Sequence, residues 1–234
     1  MGAALVWGVV AASSLVLGML LGLARTWPDR LIGLVLAFGA GALVSAVSFE
    51  LFEEGVQVGG ATAVGIGLGL GAIAYFVLAR VVERIGPGGG EGGTALALGA
   101  FLDGIPEQLV LGIGIAAGEG VSVGLLMAIF VSNLPEAIGS STDMRAAGTS
   151  PRSIRMLWIV VAGLCALATP LGYALADGSG GHFKAGMNGF AAGALLVMLV
   201  DSMIPEATSK TGRVAGLATT LGFALAAGLS TASA

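Results

Sequence analysis

The sequence predicts an all-α, polytopic membrane protein with eight transmembrane helices. Of its 234 residues, 56% are hydrophobic and only 10% are charged, and the mean hydropathy is +0.97. A soluble domain carries roughly 25% charged residues, so this chain has too few charges to cover a globular surface in water. Apolar runs recur along the chain, each near the roughly 20 residues that a helix needs to cross a bilayer. The connections between them are short, which leaves no room for a separate soluble domain.

The spans form a single predicted transmembrane domain over residues 1–234. The first run lacks the basic start and the small-residue cleavage site of a signal peptide, so we expect it to remain as a span. A Gly-rich linker at 86–93 separates the third and fourth runs, and Thr149-Ser-Pro-Arg152 would begin the sixth helix. The eight predicted spans cover residues 3–24, 31–53, 61–83, 94–116, 122–142, 154–176, 185–206 and 213–232.

The basic residues predict the orientation. Cytoplasmic loops of membrane proteins carry an excess of Lys and Arg. Of the ten basic residues, only Lys184 lies on the opposite side from the others. We therefore expect a multi-pass protein of the inner (plasma) membrane with both termini outside. The residues that share the predicted cytoplasmic side are Arg25, Arg30, Arg80, Arg84, Arg145, Arg152, Arg155, Lys210 and Arg213.

Two sequence matches indicate an inverted repeat, a feature of many transporter folds. Phe38-Gly-Ala-Gly-Ala-Leu43 in the second span matches Phe190-Ala-Ala-Gly-Ala-Leu195 in the seventh. Ile-Pro-Glu at 105–107 in the fourth span matches Leu-Pro-Glu at 134–136 in the fifth. The members of each pair run in opposite directions through the membrane, so both matches are inverted.

The second match contains the candidate site. Each Pro-Glu step lies in the middle of an apolar run, where an ionisable residue is costly and usually functional. Asp103 and Glu107 are four residues apart and share a helix face. Glu136 shares a face with Ser132 or Asn133 in the same way. Each proline also frees the carbonyl four residues earlier, which is a further acceptor for a cation or a water molecule.

Three carboxylates facing one another would repel in a medium of low dielectric. A divalent cation would relieve that repulsion, and so would protons; the core of each predicted span contains no basic residue. Two further acids lie deep enough to flank the site, Glu50 towards the entrance and Asp201 towards the exit. The patterns of phosphate loops, Cys/His metal sites and nucleophile triads are missing from the sequence, as is a basic patch for nucleic acid.

These motifs resemble those of the ZIP (zinc/iron-regulated transporter-like) family. Its members have eight spans in a three-two-three arrangement with inverted symmetry, and both termini are outside. Their fourth and fifth spans carry His-Asn-x-Pro-Glu-Gly motifs that bind the transported metal. Asp103-Gly-Ile-Pro-Glu-Gln108 is similar to the first motif, and Ser132-Asn-Leu-Pro-Glu-Ala137 to the second. The resemblance covers the whole chain and suggests a divergent, bacterial-type member.

The resemblance implies a metal site at the positions that match the motifs. Glu107, Asn133 and Glu136 match metal ligands of the family in type, Asp103 stands where a His is usual, and Ser132 stands where His or Gln is common. The sixth span has no acid, so the resemblance implies one metal rather than two. Because both family histidines are replaced, harder ions such as manganese or iron(II) compete with zinc as the substrate.

We therefore predict a non-enzymatic transporter of divalent metal, such as zinc, manganese, iron or cadmium, which moves the ion by alternating access without a prosthetic group. Its partners would be membrane lipid and the metal, and small-x-x-x-small pairs such as Gly67/Gly71 permit a homodimer. Three alternatives stay open. They are a proton or monovalent-cation pathway on the same acids, an intramembrane aspartyl protease built on Asp103 and Asp201, and a divergent member that does not transport.

Overall fold

The computed structural model describes residues 1–85, 93–118 and 121–233. Most of the Gly-rich linker predicted at 86–93 lies outside this range. The side chains of residues 83, 85, 93–100, 103 and 231–233 are also outside the described set, and this includes the side chain of the predicted ligand Asp103.

Eight helices account for nearly all of the described chain. Six of them are long and apolar enough to cross a membrane, and the described parts of α4 and α8 add two shorter apolar helices. The all-α, eight-helix fold class predicted from the sequence is therefore confirmed. The helices are α1 (Gly2–Ala24), α2 (Asp29–Gly59), α3 (Ala61–Ile85), α4 (Gly93–Ala117), α5 (Val123–Ala146), α6 (Pro151–Ala176), α7 (Gly181–Thr211) and α8 (Val214–Ser233).

Helices α2 and α7 are longer than the predicted spans. Each contains 31 residues, or about 46 Å at 1.5 Å per residue, whereas the hydrocarbon core is about 30 Å thick. Each also contains a π-helical segment, at Val47–Glu53 in α2 and at Leu199–Met203 in α7. The predicted spans were too short because helical backbone continues past the apolar runs into polar residues such as Glu54 and Lys210.

The packing of the helices repeats the sequence symmetry. Helix α3 packs on α7 as α8 packs on α2, and α4 packs on α6 as α5 packs on α1. The matched runs occupy corresponding places. A Cβ atom on Gly71 of α3 would overlap the Phe190 carbonyl, and one on Gly222 of α8 would overlap the Phe38 carbonyl. The two π-helical segments also correspond in this register. The inverted repeat therefore includes all eight helices.

The glycines that suggested a homodimer pack within the chain. Gly67 of α3 lies against the backbone of Gly186, and Gly71 against that of Phe190, both in α7. Small residues in membrane helices allow this close approach. That pair is therefore used inside one molecule and gives no support to a homodimer, which stays a prediction.

We expect Gly71→Ala to destabilise the protein. The added methyl group would overlap α7 backbone, and overpacking costs about 1–3 kcal/mol, more than the roughly 1 kcal/mol that Ala gains over Gly in a helix. Gly69 of the same helix is the matched control, because a Cβ atom there has nothing within 4 Å. Thermal unfolding in detergent should show a lower midpoint for Gly71→Ala alone. Equal midpoints for the two variants would contradict the tight α3–α7 contact.

Candidate metal site between helices α4 and α5

The two Pro-Glu motifs lie inside continuous helices. Pro106 lies within α4 and Pro135 within α5, and both helices continue beyond them. Proline has no N–H to donate, so it leaves the carbonyls of Leu102 and Val131 without their usual helical partners. The motifs therefore place acceptor groups beside their glutamates.

Glu107 is the best-defined member of the site. It is only 1% exposed, and both of its carboxylate oxygens accept hydrogen bonds from α5. Ser132 Oγ lies 2.9 Å from Oε1, and Asn133 Nδ2 donates to Oε2 at 2.5 Å. The structure thus brings together three of the residues that the motifs single out, across the α4–α5 interface.

The two donors are themselves held in place by α5. Asn133 Nδ2 donates a second hydrogen bond to the Ile129 carbonyl at 2.9 Å, and Ser132 Oγ lies at the same distance from that oxygen. Ser132 is 1% exposed and Asn133 is 2% exposed. Gly39 of α2 packs against the Ser132 backbone, where a Cβ atom would be 3.0 Å from the Ser132 Cα. The donors are therefore buried and fixed from two sides.

The other two predicted ligands are less completely defined. Glu136 is half-buried on α5, one turn beyond Ser132 and Asn133. The backbone of Asp103 lies in α4, one turn before Glu107, while its side chain is outside the described set. Among the described residues, no group of three His, Cys, Asp or Glu side chains could hold a metal. The set of five predicted ligands therefore stays a prediction, and it requires Asp103 and the neutral oxygens of Ser132 and Asn133.

A second buried contact supports α4 from the side of α6. Thr169 Oγ1 donates to Gln108 Oε1 at 2.5 Å, and both residues are buried. One turn earlier, Gly104 lies against Cys165, whose Sγ would be 2.7 Å from a Cβ atom at Gly104. Cys165 is buried and forms no disulfide, as predicted for packing. Thr169 was missed from the sequence, although a polar residue beside Pro170 within an apolar span was a usable signal.

Glu50 lines a cavity of about 330 Å³ at the end of the bundle where α2 finishes and α7 begins. We call this end the cavity end. Glu53, Glu54 and Gln57 also line the cavity, and the described lining includes no basic residue. Glu50, which the sequence placed on the pathway towards the site, is thus in an acidic vestibule.

Apolar side chains separate the cavity from Glu107. Val110, Leu111 and Leu125 line the cavity and are at most 3% exposed. Leu111 lies one helical turn beyond Glu107, about 6 Å along α4. Ile129, which accepts from Asn133, is fully buried on the same helix as Leu125. We call Val110, Leu111, Leu125 and Ile129 the apolar layer; it covers the site from the cavity end.

Asp201, the second flanking acid, is exposed on the π-helical segment of α7. It is not among the residues that line the cavity. The end of the bundle away from the cavity instead contains a cluster that the sequence did not indicate. Lys210 Nζ lies 3.0 Å from Glu206 Oε1 and 3.6 Å from the Cβ position of Gly139. Asp143 and Asp29 are further charged neighbours.

This cluster lies beyond Glu136 on α5. Gly139 is three residues after Glu136, and Asp143 is seven after it, so all three lie along one side of the helix. The arrangement places a Lys210–Glu206 ion pair one turn from the half-buried Glu136. The spacing of seven residues from Glu136 to Asp143 was a signal that the sequence analysis did not use.

Comparisons with known proteins agree with the motifs. No family model matches the chain. A protein of Arabidopsis thaliana named "Putative zinc transporter" is 28% identical to it over 199 residues. The match covers 80% of this chain and 32% of the plant protein, so the chain spans about a third of that relative's length. Together with the all-helical membrane fold, this match supports the resemblance seen in the motifs: the chain is similar to a plant protein that is named for zinc transport.

Proposed function

We propose that this protein transports a divalent metal ion across the membrane through a site formed by Asp103, Glu107, Asn133 and Glu136, with Ser132 beside them. One observation carries the proposal: the Glu107 carboxylate, in the middle of a membrane-spanning helix, is buried and bonded to Ser132 and Asn133. A buried carboxylate needs compensation, and those two neutral donors supply hydrogen bonds without supplying charge. A metal ion would supply both the charge and the remaining coordination.

The same side chains can exchange roles when a metal arrives. Ser132 has lone pairs on its hydroxyl, and Asn133 has an amide oxygen besides its donating nitrogen. Rotation of either side chain would turn an oxygen towards an ion that Glu107 already binds. The hydrogen bonds from Ser132 and Asn133 would then hold Glu107 in position until the ion displaces them. The relative named for zinc transport supports a metal as the substrate.

The rest of the fold supports alternating access. The cavity leads towards the site from one end of the bundle, and the apolar layer separates the cavity from the site. The Lys210 cluster lies at the other end of the bundle. Inverted repeats allow the two halves of such a protein to exchange conformations around a central site. We infer that the protein lies in the plasma membrane. The positive-inside pattern supports an orientation with the cavity end and both termini outside and the Lys210 end in the cytoplasm.

A panel of divalent ions offered to reconstituted vesicles tests the proposal. Zinc, manganese, iron(II), cadmium and magnesium should be compared in proteoliposomes, and we expect saturable uptake of at least one. A pH-sensitive dye in metal-free vesicles tests the proton pathway, which predicts acidification without any metal. If no ion of the panel enters while protons do, the metal proposal is wrong and the proton alternative replaces it.

The ligand set predicts how the metal preference can be changed. Imidazole favours zinc over harder ions, whereas carboxylate oxygen favours manganese and magnesium. We therefore expect Asp103→His to raise zinc uptake relative to manganese uptake, as measured by competition in the same vesicles. Asp177→His, in the connection between α6 and α7, adds an imidazole away from the site and should leave the ratio unchanged. An unchanged ratio in Asp103→His would place Asp103 outside the ligand set.

A further inference from the structure

The acidic cavity contains two buried oxygen atoms that lack hydrogen-bond partners. One is Oε2 of Glu50, and the other is Oδ1 of Asn188. Both residues line the cavity, and they come from α2 and α7 respectively. Asn188 is 4% exposed. No protein donor binds either oxygen atom, so both atoms are available to a ligand in the cavity.

The chemistry of the cavity selects a cation as that ligand. Both free atoms are acceptors, so the missing partner must carry positive charge or donate hydrogen bonds. Among the described lining residues none is basic, while Glu50, Glu53 and Glu54 are acidic. The hydroxyls of Ser122 and Ser230 lie within hydrogen-bonding reach of Glu50 and fix its carboxylate. A volume of about 330 Å³ holds a metal ion together with several of its water molecules.

The repeat gives an independent reason to regard these residues as functional. In the register that aligns Phe38 with Phe190, Glu50 corresponds to Ser202 and Asn188 corresponds to Leu36. The corresponding positions of the other half therefore lack the carboxylate and the amide oxygen, and offer only the Ser202 hydroxyl. Because the fold is built from related halves, packing alone does not require Glu50 and Asn188 where the other half has Ser202 and Leu36.

We propose that the cavity holds a divalent cation at a second site, with Glu50 and Asn188 as protein ligands and water completing the coordination. This site rests on the proposed transport function and adds to it a loading position ahead of Glu107. The apolar layer separates the two positions, so an ion at Glu50 waits in an aqueous vestibule. All ligands offered are oxygen atoms, a set that suits partly hydrated ions such as Mn²⁺.

The test counts bound Mn²⁺ in the purified full-length protein, with free Mn²⁺ measured by electron paramagnetic resonance. A Glu107→Gln background removes the central site, so the ion that remains reports on the cavity. In this background we expect Glu50→Gln and Asn188→Leu each to weaken binding at least about tenfold, a loss typical of residues that support metal sites. Asn188→Asp should retain binding because it preserves the ligand oxygen and adds charge.

Glu53→Gln is the matched control, since Glu53 is an exposed acid of the same cavity. Loss of the Glu53 charge should weaken Mn²⁺ binding no more than about threefold, as expected for an exposed charge. Thermal unfolding shows whether each variant is folded. Unchanged binding in folded Glu50→Gln or Asn188→Leu protein, or no bound ion in the Glu107→Gln background, would overturn the second site. If Glu107→Gln itself left the total number of bound ions unchanged, the central site would fail instead.

Discussion

Glu107→Gln is expected to abolish metal uptake in proteoliposomes while the protein still folds. The substitution keeps the size of the side chain and its position between Ser132 and Asn133. It removes the negative charge that a metal requires, and it offers one oxygen in place of two. Since the amide can still accept a hydrogen bond from α5, the helix contact should survive.

The controls for this variant separate charge from packing. Glu136→Gln should have the same effect on uptake, because it removes a second predicted ligand of the same ion. Glu53→Gln alters an exposed acid in the cavity and should reduce uptake only slightly. Retention of full uptake in both Glu107→Gln and Glu136→Gln would remove these residues from the transport site.

The second large effect is expected at the apolar layer. Leu125 is 3% exposed and lines the floor of the cavity, so Leu125→Ala should open a passage towards Ser132, two turns further along α5. A cysteine placed at Ser132 in a Cys165→Ala background would report this opening. We expect its reaction with a membrane-impermeant thiol reagent to accelerate at least about tenfold, equivalent to about 1.4 kcal/mol in the exposure equilibrium.

Leu164→Ala provides a matched comparison for Leu125→Ala. Leu164 lies on α6 and is 47% exposed, so Leu164→Ala removes the same atoms from a position outside the apolar layer. Its reaction rate should equal that of the parent cysteine protein. If Leu125→Ala also left the rate unchanged, the apolar layer would not be the barrier between the cavity and Glu107.

Much of the fold could be predicted from the sequence because each apolar run corresponds to one helix. The contact of Glu107 with Ser132 and Asn133 was also predictable, since both motifs lie mid-helix and one inverts onto the other. The ends of α2 and α7 could not be predicted from the sequence. The bilayer fixes where apolar residues begin and end, but helical hydrogen bonding continues into polar sequence such as Glu54–Gly59.

The flanking residues show what the depth of a residue in a span leaves undetermined. Asp201 was placed on the exit side from its depth in the span alone. It lies exposed inside a π-helical segment, where 3.6-residue spacing does not give the direction of a side chain, so its role stays a prediction. Asn188 gave no signal in the sequence. It is a neutral residue in a Gly-rich run, and Glu50, which lines the same cavity, is distant in sequence. The Lys210–Glu206 pair, by contrast, has the i,i+4 spacing of common helix ion pairs.

The central claim is that Glu107 and Glu136 face one chamber and bind the same ion. The most direct measurement is a structure of the protein loaded with zinc or cadmium, with the metal located by its anomalous scattering. We predict an ion between α4 and α5 that is bonded to oxygens of both glutamates, at about 2.0–2.2 Å if it is zinc. A structure in which the two carboxylates point into separate chambers, with no ion between them, would contradict the account.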